Sequence, residues 1–197
     1  GLLLESIFDD NPVVFLEHRW LHNQIDHVPP GDFRIPLGKA SLLREGDDVT
    51  VVSMSYMSIE ALHAVDYLKS NYGICCDLID LRSIKPIDWE LIYTSVKKTG
   101  KLLALDTGKE ICSVGSEIIS RCSRELFSSL LVPPSLISLP DCPTPTSLSL
   151  TKGYYKRADD IAKVISEMMG KNVDISELKV IRGDKFDVPG DWFKGPF

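Results

Sequence analysis

From Asp48 onward the chain alternates short β-branched runs with stretches whose apolar residues recur every three or four positions. That is the pattern of a largely parallel sheet covered by helices. The runs are Val49–Met54, Cys75–Ile79, Lys101–Leu105 and Ser135–Leu139, each followed by a polar or turn residue. Between the first two, Ile59, Leu62, Val65, Leu68 and Tyr72 place an apolar stripe on one helical face, with Ser58 as N-cap. Pro86 and Asp88 precede a second helix with Trp89, Ile92 and Val96 inward; Lys97 and Lys98 suit its negative end, and Gly100 can take the left-handed position that closes it. A third runs from near Val114 to Ser128 and buries Ile118, Ile119, Cys122 and Leu126, and Pro133-Pro134 keeps the next segment out of a helix. The fourth follows Asp159-Asp160, buries Ile161, Val164, Ile165 and Met168, and ends at Gly170.

Upstream, Lys39–Arg44 predicts a fifth strand joined to Val49 by the turn Glu45–Asp48. So short a connection calls for antiparallel pairing, because a parallel neighbour needs a crossover of about a dozen residues. The expected fold class is therefore α/β, a three-layer sandwich around a mostly parallel five-stranded sheet with one antiparallel edge strand. Residues 1–38 differ in character, with a short helix, a strand at Pro12–Leu16 and a connector around Pro29-Pro30-Gly31. They predict the end of a preceding domain plus a linker, ahead of an α/β domain over 39–170 and a C-terminal extension over 171–197. The aromatic residues Trp192, Phe193 and Phe197 of that extension are expected to pack on this domain or on a partner subunit.

At 197 residues, 44% hydrophobic and 25% charged, the chain can bury a full core. Its net charge of −6, with dispersed Lys and Arg, offers no footprint for nucleic acid. The apolar runs are too short for a membrane span, and the start Gly1-Leu2-Leu3-Leu4-Glu5 has neither the basic region nor the cleavage site of a secretory signal. The missing initiator Met suggests a truncated or processed chain. Five cysteines without C-x-x-C or zinc-ligand spacing read as reduced, mostly buried thiols of a cytoplasmic protein.

Ligands of open α/β sheets approach the carboxyl ends of the parallel strands. The side chains expected at that rim are Tyr56, Asp80, Arg82, Asp106, Thr107 and Asp141. Polar residues at strand ends also cap helices and form turns, so none is assigned a catalytic, cofactor-binding or metal-binding role. The segment Asp106–Gly115 matches neither G-x-G-x-x-G nor G-x-x-x-x-G-K-[ST]. His18 and His22 share an i,i+4 spacing, but a metal needs further ligands, and a structural or surface role is the expectation for them and for His27.

Several stretches resemble, in order and spacing, the transketolase C-terminal domain family, and within it the beta subunits of 2-oxo acid dehydrogenases. They are Pro12-Val13-Val14-Phe15-Leu16-Glu17, Ile35-Pro36-Leu37-Gly38-Lys39-Ala40, Arg44-Glu45-Gly46-Asp47-Asp48-Val49-Thr50, Asp77–Asp88 and Ser95–Leu102. The resemblance implies an assembly domain of a pyruvate- or branched-chain-type enzyme, with an alpha subunit, a second beta subunit in homodimer contact and an acyltransferase core as partners. It implies thiamine diphosphate and magnesium in the parent enzyme, held by other domains, so that this piece alone is inactive and binds neither. The chain departs from the family around Asp106–Cys112, where a glycine pair is common, and in its tail after Gly170. The same resemblance leaves a transketolase or a 1-deoxyxylulose-phosphate-synthase-like enzyme as the alternative; a third reading, from a different class, is a stand-alone interaction module with no catalytic parent.

Overall fold

A computed structural model describes residues 1–183, 186–189, 193 and 195. Its sheet is built from β1 (Ser41–Arg44), β2 (Val49–Ser53), β3 (Cys76–Asp80), β4 (Leu102–Lys109) and β5 (Ser135–Leu139). The helices are α1 (Leu2–Phe8), α2 (Tyr56–Tyr72), α3 (Trp89–Thr99), α4 (Val114–Glu125), α5 (Leu148–Thr151), α6 (Ala158–Met168) and α7 (Ser176–Arg182). Spatial order is β1-β3-β2-β4-β5, with β1 antiparallel to β3 and the other neighbours parallel.

The antiparallel edge strand is present, but its partner is not the one the short connection predicted. β3 lies between β1 and β2, so Glu45–Asp48 steps across the amino end of β3 instead of forming a hairpin. Skipping one strand means bridging roughly 10 Å, within reach of four residues at about 3.3 Å each. The crossing is fastened on both sides: Gly46 N donates to Asp77 Oδ1 at 2.9 Å, and Cys75 N donates to Asp48 Oδ2 at 2.7 Å. A Cβ on Gly46 would lie 2.2 Å from the Cys75 carbonyl carbon, so only glycine passes there. Cys75 belongs to this crossing, and β3 begins one residue later than predicted.

Side chains of the central strands alternate between two cores. Val49, Val51, Cys76, Leu78, Leu103 and Leu105 meet α2 and α6 on one face; Val52, Ile79, Leu102 and Ala104 meet α3 and α4 on the other. Covering both faces is what turns these strands into near-continuous apolar runs. Each fully buried Leu, Ile or Val contributes about 1.5–3 kcal/mol relative to exposure.

Helix α2 buries Met57, Ala61, Ala64, Val65 and Leu68, while Ile59, Leu62 and Tyr72 of the predicted stripe are only half-buried. Because α6 packs beside α2 as well as the sheet beneath it, the covered arc is displaced and takes in Glu60. Ser58 is not the N-cap: the helix begins at Tyr56, behind Ser55. Helix α4 stops at Glu125, short of the predicted Ser128, and a 3-10 turn covers Phe127–Ser129. The predicted strand at Pro12–Leu16 does not form: these residues have no regular secondary structure, and no neighbouring strand among the described residues offers them a ladder. Beyond Gly170, the unpredicted α7 docks Leu178 into the first core. Phe193 is half-buried; the expectation for Trp192 and Phe197 lies outside the described residues. Among the described residues, no helix is long and apolar enough to cross a membrane.

Candidate functional site

From β2 the chain crosses by α2 to β3 on one side, and from β4 it crosses by α4 to β5 on the other. The reversal of direction between β2 and β4 leaves a crevice at their carboxyl ends, where open α/β sheets take their ligands. A cavity of about 360 Å³ occupies that place. Tyr56 and Met57 open α2 on one wall, Asp106 and Thr107 come from β4, and Leu139 ends β5. Tyr155 and Lys156 arrive just ahead of α6, and Glu17–Trp20 close the cavity from the N-terminal connector.

The connector is held there by aromatic packing. His18 Nδ1 accepts from Trp20 N at 3.3 Å and caps a 3-10 turn over Arg19–Leu21. The Trp20 ring stands edge-on to Tyr56 at 4.9 Å between centroids and lies 5.3 Å from Tyr155, while His18 stacks on Tyr56 at 5.5 Å. Such offset and edge contacts contribute about 0.5–1.5 kcal/mol each beyond area burial.

Beneath this cluster lies a buried ion pair. Arg157 Nη1 donates to Glu60 Oε1 at 3.0 Å and to Tyr56 Oη at 2.5 Å, and Ala158 N donates to Glu60 Oε2 at 2.9 Å. Tyr56 also donates to Glu60, and Arg157 Nη2 donates to the Val188 carbonyl of the C-terminal extension. The Arg157 and Glu60 side chains are only 4% and 8% exposed. The guanidinium lies 5.2 Å from the centre of the Trp20 ring and 5.7 Å from that of Tyr56, a cation–π arrangement that ties the connector to the domain. Burial, reinforced by the Glu60 charge, pushes the Tyr56 phenol far above its ordinary range, so it stays protonated as a donor. Burial, then the neighbouring His22, lowers the His18 pKa and favours its neutral form.

Of the six rim residues, the cavity gathers Tyr56, Asp106 and Thr107. Asp106 has a structural task as well: its carboxylate accepts from Gly108 N at 2.7 Å and Gly115 N at 2.9 Å, shaping the turn into α4. Asp80 sits apart at the end of β3, accepting from Ser58 Oγ at 3.2 Å with the Arg82 guanidinium 3.9 Å away. Burial raises its pKa, opposed by the Arg82 backbone amide and the Ser58 hydroxyl. Asp141 lies beyond β5, 3.9 Å from Lys109, in a different depression. Trp20, Glu60, Tyr155, Lys156 and Arg157 were not anticipated. The run Tyr154-Tyr155-Lys156-Arg157 before a helix and an acid on the inward side of α2 are the sequence signals that mark them.

His22 bridges to Glu17 at 3.3 Å, and among the described residues no three His, Cys, Asp or Glu side chains could hold a metal.

The fold and this geometry agree with three likenesses to known proteins. The pyruvate dehydrogenase E1 component subunit beta of Rickettsia felis is 39% identical over 168 residues, 85% of this chain and 51% of its own length. The acetoin:2,6-dichlorophenolindophenol oxidoreductase subunit beta of Bacillus subtilis is 36% identical over 87% of this chain and 50% of its own length. The chain thus spans about half the length of these relatives, which are subunits of larger enzymes. Among solved structures, one described as a split gene transketolase, inactive beta4 tetramer, superposes with a TM-score of 0.61 at 27% identity, covering 74% of this chain and 46% of its own. The family model for the transketolase C-terminal domain matches residues 38–161, a span that includes all five strands and the cavity walls they carry, and the chain belongs to that family.

Proposed function

We propose that this chain is the C-terminal assembly domain of a beta-type subunit in a thiamine diphosphate-dependent enzyme that oxidatively decarboxylates a 2-oxo acid. The observation that carries this reading is the continuous likeness, over 85% of the chain, to a subunit named for pyruvate dehydrogenase E1. On this reading residues 1–38 end the preceding domain and connect it to the assembly domain. Thiamine diphosphate and magnesium sit on other parts of the parent enzyme, where the cofactor supplies the carbanion chemistry. The partners are an alpha subunit, a second beta subunit and an acyltransferase core. Five unbridged cysteines fit a reducing compartment such as the cytoplasm.

Assay of the intact parent enzyme, supplied with thiamine diphosphate, magnesium and an artificial electron acceptor, tests the reaction. Turnover of pyruvate or a branched-chain 2-oxo acid is expected; turnover of sugar phosphates in their place would move the protein to the transketolase side, which the structural likeness also favours. Acetoin is the second substrate to try, because a relative of similar identity is named for it. Calorimetric titration of residues 1–197 with thiamine diphosphate and magnesium should give no tight binding. Micromolar or tighter binding would refute the division of labour between domains.

A further inference from the structure

We propose that the cavity between the carboxyl ends of β2 and β4 is a binding site for a small, flat organic anion, a role separate from subunit assembly. Its position at the reversal point of the sheet is where this class of fold admits ligands. At about 360 Å³ it lies at the lower end of the range for small-molecule sites. Its aromatic wall is the half-buried pair Trp20 and Tyr155, backed by the buried Tyr56, a surface suited to a planar ring.

Charge selects the ligand's other end. Of the carboxylates lining the cavity, Asp106 is oriented by two backbone amides and Glu17 lies 3.3 Å from His22; neither reaches Lys156. The Lys156 ammonium, by contrast, donates to no carboxylate among the described residues and only to the Gly153 carbonyl, at 3.1 Å. Helix α2 begins at the same wall with no side-chain cap from Ser55, so its first amides add positive potential. A ring laid on Trp20 with its anionic group toward Lys156 and the start of α2 satisfies both features, and the Thr107 hydroxyl is at hand as a further polar contact.

Two sources share that chemistry, aromatic carboxylates and nucleoside monophosphates, and two probes separate them. The intact protein is titrated by calorimetry with naphthoate and with AMP, and with the uncharged counterparts naphthalenemethanol and adenosine. Saturable binding of at least one anion is expected, weakened about tenfold or more by Lys156→Met and abolished by Trp20→Ala. Naphthoate alone would mark the site as one for aromatic acids, and AMP alone as one for nucleotides; either result supports it. Lys156→Met removes only a partly exposed charge and keeps the stem, so its thermal melting should match the parent and its affinity can be read without ambiguity. The inference is overturned if neither anion binds saturably, if the uncharged counterparts bind as well, or if Lys156→Met leaves affinity unchanged.

Discussion

Two carboxylates lie buried at opposite ends of the sheet, and they are satisfied in different ways. At the amino end, Asp77 accepts from Gly46 N, from Ser95 Oγ at 2.6 Å and from Lys98 Nζ at 2.8 Å, and Ser95 passes the network on to Thr50 and Thr99. Small hydroxyls, a backbone amide and a half-exposed lysine complete it, and no cavity adjoins it among those described. At the carboxyl end, Glu60 faces a fully enclosed arginine whose Nε has no partner among the described residues, under an aromatic cluster beside a cavity. A closed polar network fixes a crossing; an ion pair walled by rings fixes a binding surface. The contrast separates polar residues that hold the fold from those that shape a site.

The largest effect should come from breaking the carboxyl-end pair. Glu60→Gln leaves the Arg157 charge buried without its counterion and should cost about 3–5 kcal/mol, read as a lower urea midpoint. Asp77→Asn should cost about 1–2 kcal/mol, because Lys98 can turn to water and to Asp47, 3.7 Å away. The double variant Glu60→Leu/Arg157→Met should recover most of the loss, since apolar replacement of a buried pair is often neutral. If Asp77→Asn proves the more damaging, the contrast between the two ends is wrong.

Next in size is the crossing over β3. Gly46→Ala drives a methyl group into the Cys75 backbone and should cost about 2–3 kcal/mol in the same denaturation experiment. Cys75 and Asp48 hold the other side of that crossing, so strain there should also weaken the β1–β3 edge and raise its hydrogen exchange.

The sheet was legible because each central strand is a short apolar run, and α3 because Asp88 and Gly100 mark both its ends. The partner of β1 was not: a four-residue connection permits a hairpin or a step across one strand, and only Gly46 and Asp48, acting on residues about thirty positions away, decide between them. The site was half legible for the same reason. Strand-end rules point to Tyr56, which opens α2 just after β2, and to Asp106 and Thr107 on β4. Glu60 and Arg157 acquire their roles from each other across the fold, and Trp20 from a connector whose path no periodicity describes.

A smaller effect follows from the backbone at the cavity wall. Ser55 adopts φ 54 and ψ −135, a region that disfavours any side chain, between β2 and the start of α2. Ser55→Gly should relieve that strain and raise stability by about 1 kcal/mol, seen as a higher melting temperature, if the wall itself is unchanged.

The smallest effect distinguishes the two ends by pH. His18 has its pKa lowered in the folded protein from an ordinary value of 6.5, so the unfolded chain takes up the proton first as pH falls through that value. Stability is therefore lost below about pH 6.5, and because His18 is half-buried and screened by solvent the loss is a fraction of a kcal/mol. The amino-end network around Asp77 contains no histidine. Asp80 acts with the opposite sign: its folded pKa is raised, so protonation favours the fold as pH falls further toward its ordinary value of 3.8. Melting curves of the protein and of His18→Gln should thus diverge between neutrality and about pH 5.5, with the variant the less sensitive to acid. Parallel curves would mean that the ring stacked on Tyr56 is already free to meet solvent, and that the connector does not close the cavity as tightly as the aromatic contacts require.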